Sequence, residues 1–226
     1  MPSFREQRET EEDWRAFPGV ERVPGEKRVV LTFDDGPDED ATPAVLDALE
    51  EAGIKATFFL VGEQLMRHHG IARRAALAGH ELALHGFAHP RHPDLFPPEA
   101  RDEVARGVGA FEAVTAFKPR FFRPPYGRFS EHSYNACDAL GLEPAYWSAW
   151  GLDWYDIDAA EVADLVTRDL DAGTIVLLHD SPRYAHRASA RNTAEAIPAI
   201  AAAAAERGLE WATLGDALGT SRQGDV

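Results

Sequence analysis

A single cysteine, Cys137, stands in a chain of 226 residues. One thiol can form neither an internal disulfide nor the Cys-rich ligand set of a structural zinc site. In a predicted helix over 131–140 it reads as a small buried side chain. Positive charge is also scarce, 23 Lys plus Arg against 38 Asp plus Glu, for a net charge of -15. Nucleic acid and anionic membrane need a basic face, so neither is expected as a partner. A neutral or cationic substrate is compatible with that charge. No apolar run approaches the roughly 20 residues that span a bilayer. The Arg- and Glu-dense stretch from Met1 to Asp13 lacks the apolar segment of a signal peptide. The expectation is a soluble chain, cytoplasmic as written and secreted if a leader has been removed; its oligomeric state is left open. Internal repeats and interdomain linkers are missing too, which points to one domain with a full-sized core.

What is present is organised as short apolar runs separated by helical segments. Residues 1–28 are polar, with isolated Trp14 and Phe17 and breaks at Pro18-Gly19 and Pro24-Gly25. They are expected to pack as an extension against a domain covering 29–220. Strands are predicted at 29–33, 56–61, 80–85, 120–123, 144–147, 174–179 and 209–211. Between them lie a helix capped by Thr42 and closed by Gly53, helices over 63–78, 98–117 and 131–140, one from Asp158 to near Gly173, and a last one through the alanine tract 201–205. This α/β alternation describes parallel strands wrapped by an outer layer of helices, as a barrel or an open doubly wound sheet. In both, functional groups gather at the C-terminal ends of the strands.

Five strand ends carry such groups. Val29-Val30-Leu31 runs into Thr32-Phe33-Asp34-Asp35-Gly36-Pro37, where two adjacent carboxylates repel one another unless a cation or base chemistry uses them. His85-Gly86-Phe87-Ala88-His89 leaves the third strand with two imidazoles able to share one cation. Joined by one carboxylate of the Asp34-Asp35 pair, they make three ligands with positions left open, the pattern of a catalytic site. Arg123-Pro124-Pro125-Tyr126-Gly127 holds an arginine rigidly, and arginine braces carboxylates through paired hydrogen bonds. Trp150-Gly151-Leu152-Asp153-Trp154 sets an acid between aromatic rings suited to a sugar or acyl pocket. Ile175-Val176-Leu177-Leu178-His179-Asp180 ends on a histidine, the usual proton donor near neutral pH. His68, His69, His92, His132 and His186 are expected at the surface.

Taken together over residues 28–215, these five stretches resemble, in content and order, the polysaccharide deacetylases of carbohydrate esterase family four, the NodB homology domain. The resemblance implies a distorted (β/α) barrel and a metal-dependent hydrolase that removes N- or O-acetyl groups from a carbohydrate such as chitooligosaccharide or peptidoglycan. It implies one divalent ion; zinc suits an Asp-His-His set, and cobalt, nickel or manganese can take its place. By resemblance Asp34 is the general base, and Asp35, His85 and His89 are the metal ligands. Arg123 braces Asp34, and the Tyr126 backbone N–H helps to hold the oxyanion. Asp153 orients and charges His179, the acid for the leaving amine, and Trp154 and Leu177 wall the acetyl methyl pocket.

Two departures stand out. Gly86 replaces the Ser or Thr that the family places after the first metal histidine, removing a hydroxyl that steadies the loop. Gly86→Ser is therefore expected to tighten metal binding. Trp150 stands where the family often has aspartate, adding a ring expected to crowd or lengthen the sugar groove. Competing expectations are hydrolysis of a small non-sugar amide or formamide on the same fold, and a non-catalytic carbohydrate-binding relative.

Overall fold

The computed structural model describes Met1, Phe4 and residues 16–219; Trp14 lies outside the described residues. Strand β1 (Arg28–Asp34) leads to α1 (Ala41–Ala52), β2 (Thr57–Leu60), the helix pair α2 (Gly62–Arg67) and α3 (His69–Leu77), and β3 (Glu81–Leu84). The long α4 (Pro97–Thr115), β4 (Phe121–Phe122), α5 (Glu131–Ala139), β5 (Glu143–Pro144) and β6 (Ala149–Trp150) follow. The chain ends with α6 (Ala159–Arg168), β7 (Ile175–His179), α7 (Arg191–Glu206), β8 (Glu210–Ala212) and α8 (Leu214–Ala217).

The strands run side by side in the order β5-β4-β3-β2-β1-β7-β6, all pairs parallel, with β8 on the first half of β1. Starting from β1 and going outward, the order is cyclic and never reverses at a switch point, so the sheet is a distorted (β/α) barrel rather than a doubly wound one. The circle is open between β5 and β6. There Val20 pairs with Ala145 and Arg22 with Thr174. Val20 N–H donates to the Pro144 carbonyl at 2.8 Å, and Val23 N–H to that of Gly173 at 2.9 Å. The described part of the N-terminal extension thus crosses the gap. Val29, Val30, Leu31 and Phe33 are fully buried, as expected for a central strand covered by side chains on both faces.

Several local expectations change. The strand foreseen at 144–147 is two pieces, β5 and β6. Between them the Ala145 and Tyr146 carbonyls accept from Arg123, and Ala145 makes an isolated bridge to Val20, whose carbonyl accepts the Tyr146 amide, in place of a continuous ladder. Thr42 lies inside the first turn of α1 instead of capping it; Asp38 accepts the Ala41 amide. The Thr42 hydroxyl donates instead to Asp180 at 2.6 Å, tying α1 to the end of β7. The helix opened by Asp158 stops at Arg168, short of Gly173. Gly53 closes α1 at φ 69°, and Cys137 is fully buried, both as the sequence indicates. His92 is not at the surface. It is fully buried beside Phe122 and Phe129, and burial, reinforced by His85 and His89, pushes its pKa down to about 3. Among the described residues, no helix is long and apolar enough to cross a membrane.

Candidate active site

The parallel register assembles the site. Asp34, the last residue of β1, pairs with His179 at the end of β7 and with Phe59 of β2, while Leu84 beside His85 pairs with Phe122 beside Arg123. The chain then bends sharply. Asp35 adopts φ 80°, and Gly36 N–H donates to Asp180 Oδ1 at 3.1 Å. A Cβ on Gly36 would sit 2.2 Å from Asp180 Oδ2, so only glycine allows this approach. Burial raises the Asp180 pKa to about 7 against the Thr42 hydrogen bond, with repulsion from Asp35 and Asp34 adding to the rise.

Asp35, His85 and His89 each turn one ligand atom inward, all within 4.8 Å of one another. Asp35 Oδ1 lies 3.0 Å from His89 Nε2 and 3.5 Å from His85 Nε2. It is nonetheless buried without a hydrogen-bond partner among the described residues. A buried, unsatisfied carboxylate oxygen facing two imidazole nitrogens is a donor set that fits a divalent ion. The Nδ1 of His85 lies 2.8 Å from the Arg123 carbonyl and must donate to it, which leaves Nε2 with its lone pair inward. Burial above all lowers the His85 pKa to about 4, so its imidazole is neutral near pH 7, the form in which a histidine can bind a metal ion. Burial also works to raise the Asp35 pKa, but the histidines around it, His89 first, hold it below the usual carboxylate range. The His89 ring stacks on Tyr184 at 4.0 Å and meets the edge of Tyr126 at 4.8 Å.

Two fully buried groups stand behind the cavity. Arg123 donates through Nη1 to Asp34 Oδ1 (2.7 Å) and Thr32 Oγ1 (2.8 Å), through Nη2 to the Tyr146 carbonyl (2.7 Å) and through Nε to the Ala145 carbonyl (3.2 Å). Its guanidinium also lies 4.0 Å from the Phe59 ring centre. Asp153 accepts the His179 amide at 2.8 Å, faces His179 Nδ1 at 2.9 Å and accepts the Thr193 hydroxyl at 2.7 Å, with Arg187 3.5 Å away. Burial alone would lower the His179 pKa, but the charge and hydrogen bond of Asp153, with Asp35 and Asp34 behind them, carry it to about 9. Asp34, Asp35, His85, His89, Tyr126, Trp154, Leu177 and His179 line one cavity of about 350 Å³. Of the five non-glycine residues described with positive φ, Asp35, His89 and Tyr126 lie in this site and Leu152 precedes Asp153. Backbone strain of this kind concentrates where surrounding structure enforces a geometry.

The sequence model of one family, described as polysaccharide deacetylase, matches residues 21–145. The chain belongs to that family. It is 36% identical over 159 residues to a chitooligosaccharide deacetylase of Bradyrhizobium, covering 70% of this chain and 73% of the relative. The solved structure of the Bc1960 peptidoglycan N-acetylglucosamine deacetylase superposes with a TM-score of 0.83 at 29% identity, over 90% of this chain and 94% of that one. A structure described as a pseudoenzyme of the same family from Bacillus anthracis superposes with a TM-score of 0.78 at 27% identity, over 88% and 68%. As a polysaccharide deacetylase, the protein is a hydrolase of carbon–nitrogen bonds other than peptide bonds.

The deacetylase site differs from the sequence reading at its edges. Trp150 is nearly buried and packs against Phe4 at 5.0 Å and Trp154 at 5.5 Å. It lines the cavity from behind Trp154. His186, although exposed, lines the cavity and stacks on Tyr155. Gly86 sits at φ 81°, and a Cβ there would lie 3.0 Å from Glu103 Oε1, so a serine is strained there. Tyr184, Arg187, Asp180 and Glu103 were not assigned to the site from sequence. Asp180 closes the Leu177-Leu178-His179-Asp180 stretch and could have been read from it, whereas Tyr184, Arg187 and Glu103 come from loops and a helix with no local motif to mark them.

Proposed function

We propose that this deacetylase removes the N-acetyl group, and by the same chemistry O-acetyl groups, from an N-acetylglucosamine-containing glycan such as peptidoglycan or chitooligosaccharide, using one divalent ion. The catalytic domain is taken as residues 29–220, with the described part of the N-terminal extension packed across its open edge. Asp35, His85 and His89 would hold the ion, zinc being best suited to the set and cobalt, nickel or manganese acceptable. A bound divalent ion supplies Lewis acidity, polarising an acetyl carbonyl and acidifying water.

The observation that carries this reading is the pairing, on adjacent strands, of Asp34 braced by Arg123 with His179 braced by Asp153. Arg123 occupies Asp34 Oδ1, leaving Oδ2 to take the proton of the attacking water. The Tyr126 backbone N–H is the donor to the oxyanion. His179, whose Nδ1 is held by Asp153, delivers a proton from Nε2 to the leaving nitrogen, without which an amine is not expelled. Trp154 and Leu177 enclose the acetyl methyl group.

The test is acetate release from chitooligosaccharides, peptidoglycan, acetylated xylan and small non-sugar amides, with and without chelator and with zinc or cobalt restored. Chelator-sensitive release from the N-acetylated glycans is expected. Release from small amides or formamides alone would favour the non-sugar alternative. No release from any substrate by metal-loaded protein would make this chain a non-catalytic carbohydrate-binding relative. Full activity in protein shown to be metal-free would overturn the mechanism.

A further inference from the structure

The loop 85–89 presents both histidines of the triad, yet lacks the hydroxyl that Ser or Thr would supply at Gly86. Its backbone is held from two sides. On one, the first turn of α2 donates Gly62 N–H to the Gly86 carbonyl and Glu63 N–H to that of Phe87, each at 2.9 Å. On the other, Glu103 of α4 is buried, and its Oε1 accepts Phe87 N–H at 2.6 Å and Ala88 N–H at 2.7 Å. Close approach of α4 depends on Gly107, where a Cβ would stand 3.0 Å from the Gly86 carbonyl carbon. Gly86, Gly107 and Glu103 therefore form one packing unit: the side chains removed at the glycines admit the carboxylate that the loop amides need.

We infer that Glu103 is a positioning residue for the metal loop, replacing the missing hydroxyl by accepting the two amides between His85 and His89 and so presetting the separation of the two imidazoles. A carboxylate accepting two backbone N–H groups binds them more strongly than a neutral oxygen does. Both amides lie in the short span between the ligands, so fixing them fixes the loop conformation. The inference rests on the reading of Asp35, His85 and His89 as ligands.

The experiment titrates Co²⁺ into the chelator-stripped 226-residue chain for wild type, Glu103→Gln and Glu103→Ala, and records thermal unfolding of each metal-free protein. Removal of groups that orient metal ligands weakens affinity by roughly 10–100-fold. That loss is expected for Glu103→Ala, with a smaller one for Glu103→Gln, which keeps an acceptor oxygen. A wild-type dissociation constant in a folded Glu103→Ala protein, or equal losses in both variants, overturns the inference. Amide hydrogen exchange in the metal-free protein decides the matter even if Glu103→Ala does not fold. Phe87 and Ala88 should be protected in wild type and exchange faster in Glu103→Gln; unchanged rates overturn the brace. Failure of wild type to bind Co²⁺ would instead reject the ligand reading, leaving the exchange data to judge Glu103 alone.

Discussion

Arg123→Ala tests how much of the fold hangs on the group that braces Asp34. From the sequence this variant is expected to resemble a mild Asp34 mutant, losing rate without losing metal. The structure adds a stability cost. Arg123 is fully buried, and its removal strands the Asp34 carboxylate and two backbone carbonyls. Breaking a buried ion pair by deleting one partner costs about 3–5 kcal/mol, and each deserted carbonyl adds about 1 kcal/mol. The sum, roughly 5–7 kcal/mol, is a large part of the ~5–15 kcal/mol that holds a domain together. Urea unfolding of chelator-treated protein, followed by tryptophan fluorescence, should show the midpoint falling by about 2.5–3.5 M for a slope near 2 kcal/mol/M. Arg123→Lys should recover only part, because one ammonium cannot reproduce the guanidinium fork. The decisive variant is the double mutant Arg123→Ala/Asp34→Asn, which leaves no unpaired charge and should be more stable than Arg123→Ala alone. A double mutant as unstable as the sum of its singles would refute the argument that the stranded carboxylate carries the cost.

Other outcomes follow from the same geometry. Asp35→Asn should lose metal content and activity together, whereas Asp34→Asn should keep its metal and lose kcat by roughly 10²–10⁴-fold; an Asp34→Asn protein that empties of metal would reverse the two roles. The His179 pKa of about 9 lies above its ordinary 6.5, so its stabilising contribution is complete below pH 6.5 and lost as pH rises through 9. The alkaline limb of kcat/KM should fall in the same region, and Asp153→Asn should move it to lower pH. Gly86→Ser, expected from the sequence to tighten metal binding, should weaken it, because the left-handed backbone at Gly86 costs a non-glycine residue about 1–3 kcal/mol; tighter Co²⁺ binding in a titration would show that the loop relaxes around the new side chain.

Much of this site is legible in the chain because its chemistry is local to strand ends. An apolar run followed by Asp34-Asp35-Gly36 announces both a buried strand and the point where it delivers charge. Parallel pairing then carries every such end to one face. The strand at 144–147 was misjudged because its carbonyls belong to Arg123, a partner more than twenty residues away. His92 was misplaced because polarity is a poor guide to the burial of an imidazole when aromatic rings enclose it.

Sequence alone determined the α/β alternation, the ten proposed site residues and the family resemblance, since these depend on local periodicity and short motifs. Only the tertiary structure decided what holds those residues. It gave Arg123 two backbone carbonyls besides Asp34, placed Arg187 and Thr193 behind Asp153, stacked Tyr184 on His89 and brought Glu103 to the Phe87 and Ala88 amides. Such partners are fixed by the closeness of helices and loops distant along the chain. No spacing along the chain records that closeness, because it arises only when the core has packed.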